Sequence, residues 1–284
     1  MKPAPREYRY KHLRLGFNRP LIMGVVNATP DSFSDGGKYL KPRNAIEQAA
    51  RLIESGAGII DIGGESSRPG AKPVSAKEEG RRVLPVIRKL VKRYPKVPFS
   101  IDSYKPEVIR FAMDEGAGII NDITGLRNPD VMAIAEEHKV PVVIMHMKGM
   151  PGTMQKRPTY KNVVAEVVLF FKERIKACKK HGVTKIILDP GIGFGKTVNH
   201  NLAILRELDK IVELGYPVMV GASRKSFIGN ILGADVNQRE SGSLAITALA
   251  VRKGASIIRA HEVKENLEAA MVSAAVRKGR ALRF

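Results

Sequence analysis

The chain has 284 residues, of which 44% are hydrophobic and 27% charged, so it can bury a large core and has the composition of a globular protein. No apolar run approaches the roughly 20 residues that span a bilayer, and the basic first residues lack the apolar segment of a secretory signal. The single cysteine, Cys178, rules out an intrachain disulfide and favours a reducing cytoplasm.

The net charge of +20 and the pI near 10.1 admit two interpretations. One is nucleic-acid binding, and the other is a solvated basic surface that attracts anionic substrates. The basic residues are spread over several helical segments, and the chain has neither a nucleic-acid motif nor an aromatic-rich stacking strand. We therefore expect small-molecule substrates, with neither nucleic acid nor a membrane as partner.

The predicted elements begin with a short polar segment, residues 1–20, which we expect to form a strand or hairpin that closes the bottom of a barrel. Helix-like segments ending in glycine are predicted over 45–56, 163–182, 201–215 and 244–254. Strand-like apolar runs alternate with such segments, at 21–27, 58–64, 98–102, 119–123, 141–147, 186–190, 218–223 and 256–261.

This alternation favours a parallel sheet, because parallel neighbours need a long crossover connection. Eight repeats of strand and helix predict a (β/α)₈ TIM barrel, with one domain over residues 1–284. The segments after the first and second strands, residues 28–40 and 65–76, are long and rich in Gly, Pro and Ser. Loops of this kind are expected to lie over an active site.

Most of the strand-like runs end in polar residues, at the barrel end where active sites lie. Asn27 offers a neutral oxygen ligand that suits Mg²⁺, although a turn-forming Asn is an equal alternative. Arg68, in the segment GGESSRPGA, offers the planar fork that phosphate oxygens favour. His146 and His261 lie on distant strands without a cysteine partner, so a zinc site is not expected.

Two carboxylates and one amide stand at strand ends: Asp102 and Asn121 follow adjacent strands, and Asp189 follows a later one. They could be helix caps, or together with Lys225 they could receive a ring rich in hydrogen-bond donors. The glycine-rich turn after Asp189 resembles a phosphate cradle but lacks the spacing of the known nucleotide motifs.

The last two strands carry cationic groups. Lys225 and Ser226 stand at a helix start, where free backbone N–H groups favour an anion. Arg259 and His261 are two residues apart and so share a strand face, which suits a departing diphosphate. A buried structural histidine is the alternative.

The motifs together closely resemble the dihydropteroate synthase family, over residues 20 to 275. The segments that carry the resemblance are LIMGVVNATPDSFSDGG, DIGGESSRPGA, SIDSYKPEV, INDITGL, MHMKGMPGTMQ, LDPGIGFGK, GASRKSFIG and IIRAHEV. The resemblance implies a TIM-barrel transferase of folate biosynthesis, usually a homodimer. Such an enzyme joins 6-hydroxymethyl-7,8-dihydropterin diphosphate to 4-aminobenzoate with Mg²⁺, and releases diphosphate and 7,8-dihydropteroate.

The resemblance also implies a role for each matching residue. Pterin binding is implied for Asp102, Asn121, Met145, Asp189, Gly221 and Lys225. Diphosphate binding is implied for Asn27 through the metal ion, Arg68, Arg259 and His261. Aminobenzoate binding, the subsite that sulfonamides would occupy, is implied for Phe33, Ser67, Arg68, Pro69, Phe194, Lys225 and Ser226. Catalysis, through a dissociative SN1-like step, is implied for Asp102, Lys225, Arg259 and His261.

Departures from the family pattern are small. Ser67 stands where the family commonly has Thr, and AHEV stands for VHDV. No segment corresponds to a pterin-pyrophosphorylating domain, so a single activity is expected. The alternatives are a pterin-binding methyltransferase of the same superfamily, which has no need of diphosphate ligands, and a basic binding protein without activity. The residues leave open a substituted arylamine in place of 4-aminobenzoate.

Overall fold

The computed structural model describes residues 4–29, 42–66, 71–149 and 152–281. Strands β1 (Glu7–Tyr10) and β2 (Leu13–Gly16) form an antiparallel hairpin ahead of the main sheet. The main sheet contains β3 (Leu21–Asn27), β4 (Ile59–Gly63), β5 (Phe99–Asp102), β6 (Ile119–Asp122), β7 (Val142–Met145), β8 (Ile186–Asp189), β9 (Met219–Val220) and β10 (Ile257–Ala260).

These eight strands are parallel and lie in the order β8, β7, β6, β5, β4, β3, β10 and β9. A parallel bridge between Leu188 and Val218 brings the two ends of the sheet together, so that the barrel is nearly closed. The surrounding helices are α1 (Pro42–Glu54), α2 (Ala76–Arg93), α3 (Pro106–Asp114), α4 (Pro129–Glu137), α5 (Val163–Lys180), α6 (Val198–Arg206), α7 (Asp209–Val212), α8 (Ser226–Leu232), α9 (Glu240–Lys253) and α10 (Val263–Lys278). The predicted (β/α)₈ barrel is confirmed, built as one domain.

The strands are apolar along their length because barrel strands are covered on both faces. Every residue of β4, β6, β7 and β8 is buried. Four polar residues interrupt this pattern, namely Asp61 in β4, Asn121 and Asp122 in β6 and Asp189 in β8, and all four are almost completely buried. Buried polar groups need partners, so these positions mark polar contacts among the strands.

The helix predicted over 201–215 is wrong in one respect, because α6 and α7 are separate. Glu207 leaves the helical conformation, with φ −111° and ψ 29°. Leu205, Leu208 and Ile211 are all buried. The break was hidden in the sequence, since in an unbroken helix the buried Ile204, Leu208 and Ile211 would also share one face.

The N-terminal hairpin packs on the barrel end where the strands begin. The Tyr8 hydroxyl donates a hydrogen bond of 2.8 Å to the carbonyl oxygen of Ile186, the first residue of β8. The Tyr10 ring lies against Gly118, just before β6, where any side chain would overlap it. In the described ranges no helix has the length and apolarity required to cross a membrane.

These two tyrosines provide a matched test of the hairpin contact. Both are buried, but the Tyr10 hydroxyl has no hydrogen-bond partner within the described part of the chain. Tyr8→Phe is expected to lower the free energy of unfolding by about 1 kcal/mol, whereas Tyr10→Phe should be neutral or stabilising. Urea denaturation of both variants checks this, and an equal loss in the two would contradict the role of the Tyr8 hydrogen bond.

Candidate active site

The carboxyl ends of the strands bring most of the predicted site residues to one mouth of the barrel. Asn27, Asp102 and Asp189 are the last residues of β3, β5 and β8, and Asn121 is the penultimate residue of β6. Arg259 reaches into the same region from β10. The mouth therefore lies opposite the N-terminal hairpin.

Arg259 forms two ion pairs across the barrel. Its Nε donates to Asp61 Oδ2 at 2.7 Å, and its Nη2 donates to Asp102 Oδ2 at 2.8 Å. Nη1 takes part in neither pair. The guanidinium thus links β10 to β4 and β5, and its pKa is raised by the two carboxylates. One cation here faces two carboxylates.

Asp61 belongs to the same cluster, although the sequence analysis did not single it out. Its side chain is 0% exposed, and its Oδ2 accepts a second hydrogen bond of 3.0 Å from the Asn121 amide nitrogen. This bond fixes the amide of Asn121 so that its oxygen points away from Asp61. The signal in the sequence was a lone carboxylate inside the apolar run IIDIG, since a buried charge must be paired.

Burial has a large effect on the carboxylates at the mouth. It raises the pKa of Asp102 to about 7, and the negative charge of Asp61 adds to the increase while Arg259 opposes it. Burial also raises the pKa of Asp189, although the backbone N–H of Gly191 donates a 2.7 Å hydrogen bond to its Oδ1. Without ligand, these groups therefore accept protons more readily than exposed carboxylates.

The helix-cap alternative is wrong for Asp102, Asn121 and Asp189, because α3, α4 and α6 have other N-cap residues. Two strand-end carboxylates cap turns instead. Asp122 caps the turn after β6, because it accepts hydrogen bonds from Thr124 and from the Leu126 backbone N–H. Asp189 caps the glycine-rich turn with one oxygen. Asp102 instead accepts a hydrogen bond from Arg259 and caps no turn, so its carboxylate stays at the mouth of the barrel, where a ligand could bind.

An apolar wall lies beside these polar groups. Met145 and Phe194 are buried and belong to a small cluster that is separate from the main core. The ammonium of Lys225 lies 4.3 Å from the centre of the Phe194 ring, a cation–π contact. Lys225 precedes Ser226, the first residue of α8, and Gly221 lies beside Arg259.

His261 follows β10 and lies next to the loop that carries Lys225. Its Nδ1 is 3.0 Å from the Ser223 hydroxyl, and Glu262 pairs with Arg224. Burial, with the nearby charge of Arg259, lowers the pKa of His261 to about 4. The imidazole is therefore neutral at pH 7 and can act as a hydrogen-bond partner rather than as a cation.

Asn27 is half-buried at the end of β3, and its amide has no hydrogen-bond partner among the residues the structure describes. In that part of the chain no group of three or more His, Cys, Asp or Glu side chains could hold a metal ion. The donor set fits Mg²⁺ that arrives with a diphosphate, since Mg²⁺ keeps waters and takes few protein ligands. Phe33, Ser67, Arg68 and Pro69 lie outside the described residues.

Comparison with known proteins gives a consistent result. The family model described as pterin binding enzyme matches residues 23–261. The dihydropteroate synthase of Escherichia coli K12 is 47% identical over 260 residues, which cover 91% of this chain and 92% of that protein. The dihydropteroate synthase of Bacillus subtilis is 43% identical over 282 residues, which cover 98% and 93%.

The fold agrees with solved structures of the same group. The Yersinia pestis dihydropteroate synthase in complex with a sulfonamide drug superposes with a TM-score of 0.91 and 42% identity, covering 96% of this chain and 99% of that one. The Xanthomonas albilineans enzyme in complex with 7,8-dihydropteroate gives a TM-score of 0.84 and 43% identity, with coverage of 93% and 96%. The chain therefore belongs to the pterin-binding enzyme family and, within it, to the dihydropteroate synthases, which are transferases.

Proposed function

We propose that this chain condenses 6-hydroxymethyl-7,8-dihydropterin diphosphate with 4-aminobenzoate, giving 7,8-dihydropteroate and diphosphate. The observation that carries the proposal is the set of acceptors at the barrel mouth, Asp102, Asn121 and Asp189, held around Arg259. A pterin ring presents several N–H donors along one edge, and such a set complements it. Relatives have been solved with 4-aminobenzoic acid and with 7,8-dihydropteroate, which supports both the acceptor and the product.

The two halves of the site divide the substrates between them. The acceptors hold the pterin ring beside Met145 and Gly221. Phe194, Lys225 and Ser226 lie beside it, where the arylamine would approach the reacting carbon. Arg259 and the neutral His261 would hold the diphosphate together with Asn27 and Arg68.

The reaction breaks the C–O bond to diphosphate, which leaves with the bonding electron pair, and forms a C–N bond from the arylamine lone pair. The arylamine nitrogen then releases one proton to solvent. We propose that the C–O bond breaks first, because a dihydropterin can delocalise the positive charge that develops. The carboxylate of Asp102 would stabilise that charge, and Arg259 would stabilise the departing anion. The arylamine is neutral at pH 7, so it needs no strong base before it attacks.

We propose Mg²⁺ as the cofactor, with Asn27 as its protein ligand. When bound, the ion would neutralise charge on the diphosphate oxygens. An enzyme of this kind is also proposed to lie in the cytoplasm, which suits a chain whose only cysteine is reduced and buried.

The decisive assay combines the protein with the pterin diphosphate, Mg²⁺ and 4-aminobenzoate, and follows dihydropteroate by mass spectrometry and diphosphate by a coupled assay. Equal amounts of both products are expected. Substituted aminobenzoates in parallel reactions determine the arylamine. Methyl transfer from methyltetrahydrofolate to a corrinoid protein, without dihydropteroate formation, would refute the proposal.

We expect 4-aminobenzoate to bind appreciably only after the pterin diphosphate or diphosphate. The reason is that an arylamine pocket completed by the anion is populated only in its presence, which lowers the apparent affinity otherwise. Calorimetric titration of 4-aminobenzoate with and without Mg²⁺ and diphosphate measures this, and sulfonamides should compete with 4-aminobenzoate alone. The same affinity under both conditions would indicate a preformed pocket.

We also propose a homodimer. Several large apolar side chains are exposed on the outer helices, among them Val272 and Val276 of α10, at 66% and 68% exposure. Light scattering after gel filtration should give twice the 31.2 kDa of the chain. Val276→Glu is expected to shift that mass toward the monomer, since burying a charge in an apolar interface is costly.

A further inference from the structure

The turn between β8 and α6, residues 190–196, lies flush against the backbone that follows β7. Gly191 and Gly195 have φ of +65° and +63°, in the left-handed region. A Cβ atom at Gly191 would overlap the carbonyl oxygen of His146, and one at Gly195 would overlap that of Lys148. We refer to residues 190–196 as the glycine turn.

Lys196 ends this turn and points into the protein, where it is 3% exposed. Its ammonium donates to the carbonyl oxygens of Gly191 at 2.9 Å and Phe194 at 3.0 Å, both in the glycine turn. It also donates to the carbonyl oxygen of His146 at 3.2 Å and lies 3.0 Å from the Nδ1 of the same residue. One ammonium therefore joins the glycine turn to the end of β7.

Burial of the Lys196 ammonium is unfavourable for folding, so stability alone does not explain it. Its four hydrogen-bonding partners are neutral, and burial lowers its pKa to about 7, although the charge of Asp189 opposes this shift. An apolar side chain of the same length would avoid this desolvation. The phosphate-cradle interpretation of the turn also does not explain the burial, because the ammonium faces the interior rather than a ligand site.

The two backbone segments that Lys196 joins carry the apolar wall of the candidate site. The Phe194 carbonyl is one of its acceptors, and the Phe194 ring contacts the ammonium of Lys225 at 4.3 Å. His146, which supplies the acceptors on the other side, directly follows Met145. A shift of the glycine turn would therefore change the spacing between the ring of Phe194, Lys225 and Met145.

We infer that Lys196 is a positioning residue, which holds Phe194 against Lys225 and thereby sets the affinity for the arylamine without touching either substrate. This inference rests on the proposed function. Arylamine binding depends on the Phe194 ring, whereas the pterin is also held by Asp102 and Asn121, which lie on β5 and β6 outside the glycine turn. Loss of Lys196 should consequently affect the two substrates unequally.

The test is steady-state kinetics of Lys196→Met, which keeps an unbranched apolar chain and removes all donors. The KM for 4-aminobenzoate is expected to rise about tenfold, which corresponds to about 1.4 kcal/mol of lost binding, while the KM for the pterin diphosphate changes less than about twofold. Lys185→Met is the matched control. Its ammonium also bonds to a backbone carbonyl, that of Lys139 at 2.7 Å, but at the opposite end of the barrel, and both KM values should stay unchanged.

A double-mutant cycle with Phe194→Leu separates positioning from general loosening. If Lys196 acts through the Phe194 ring, Lys196→Met should raise the KM for 4-aminobenzoate much less in the Phe194→Leu background. Should Lys196→Met be insoluble, Lys196→Gln, which keeps an amide donor, is expected to show the same inequality at smaller size.

Equal increases in both KM values, or strictly additive effects in the cycle, would overturn the inference. A wild-type protein that forms no dihydropteroate would refute the proposed function instead, so the two failures are distinguishable.

Discussion

Asp102→Asn is expected to lower kcat roughly 10²–10³-fold, the usual loss when one preorganised electrostatic group is removed at a reacting centre. Asn has nearly the shape of Asp and can still accept a hydrogen bond from Arg259, whose Nη2 now lies 2.8 Å from the carboxylate. What disappears is the negative charge beside the pterin. Asp114→Asn, on the exposed end of α3, is the control and should leave kcat unchanged.

The same substitution should change the pH dependence. The pKa of Asp102 is raised to about 7 by burial and by Asp61. Since the ionised form is the active one, kcat/KM for the pterin diphosphate should increase with pH up to about 7 in the wild type. This increase should be absent in Asp102→Asn, because the group that titrates has been removed.

The free energy of unfolding of the wild type should fall as pH rises, whereas its kcat/KM rises. A carboxyl whose pKa is raised in the folded state binds more protons when folded, so it lowers the free energy of unfolding as pH rises from about 4 to 7. Above pH 7 the full penalty is present. Asp102→Asn should therefore raise the melting temperature at pH 8 relative to the wild type, and raise it less at pH 5. Near wild-type kcat in folded protein, or a lower melting temperature at pH 8, would contradict this assignment.

The barrel could be predicted from the sequence because its evidence is local. Each apolar run is interpretable by itself, and the polar residue after it marks the carboxyl end of the strand, as for Asn27 and Asp189. The split of α6 from α7 was not predictable in this way. Ile204, Leu208 and Ile211 fit one continuous amphipathic segment, and only the backbone conformation at Glu207 shows the break.

The contacts inside the site depend on strand register rather than on local pattern. Arg259 and Asp61 are 198 positions apart in the sequence. They can meet because only one strand, β3, lies between β10 and β4 in the sheet. The sequence showed a cation and a carboxylate at strand ends without showing which would pair. Lys196 was equally hidden, since a lysine after a glycine-rich turn is typical of phosphate binding, and only its contacts with the β7 end reveal the interior orientation.

Asp61→Asn is the second change for which we expect a large effect, up to about 10²-fold in kcat/KM for the pterin diphosphate. Asp61 contacts no substrate directly in this proposal, but it holds both Arg259 and Asn121. With a neutral amide at position 61, Arg259 is drawn to Asp102 alone, and the Asn121 amide can rotate to present its nitrogen. A displacement of about 1 Å at a substrate-binding edge can lower the rate about 10²-fold.

The number of carboxylates around Arg259 determines how Asp61→Asn should affect stability and pH dependence. Wild-type Arg259 faces two carboxylates, so after Asp61→Asn it still has Asp102 as a partner, and no buried cation is left uncompensated. We therefore expect a small change in the free energy of unfolding. Because the charge of Asp61 raises the pKa of Asp102, its removal should move the rise in kcat/KM to lower pH.

Asp122→Asn is the matched control for Asp61→Asn, since Asp122 is also a buried carboxylate, at the end of β6, but it caps a turn through Thr124 and Leu126. The Asn oxygen can still accept from Thr124, but its NH2 group would face the Leu126 N–H, so stability should fall. The pH profile should shift much less than in Asp61→Asn, because the charge of Asp122 acts on Asp102 more weakly than that of Asp61. Asp61→Asn should therefore alter mainly the pH profile, whereas Asp122→Asn should alter mainly the melting temperature. If Asp61→Asn kept the wild-type profile while losing stability like Asp122→Asn, then Asp61 would be a structural residue with no influence on the charge at Asp102.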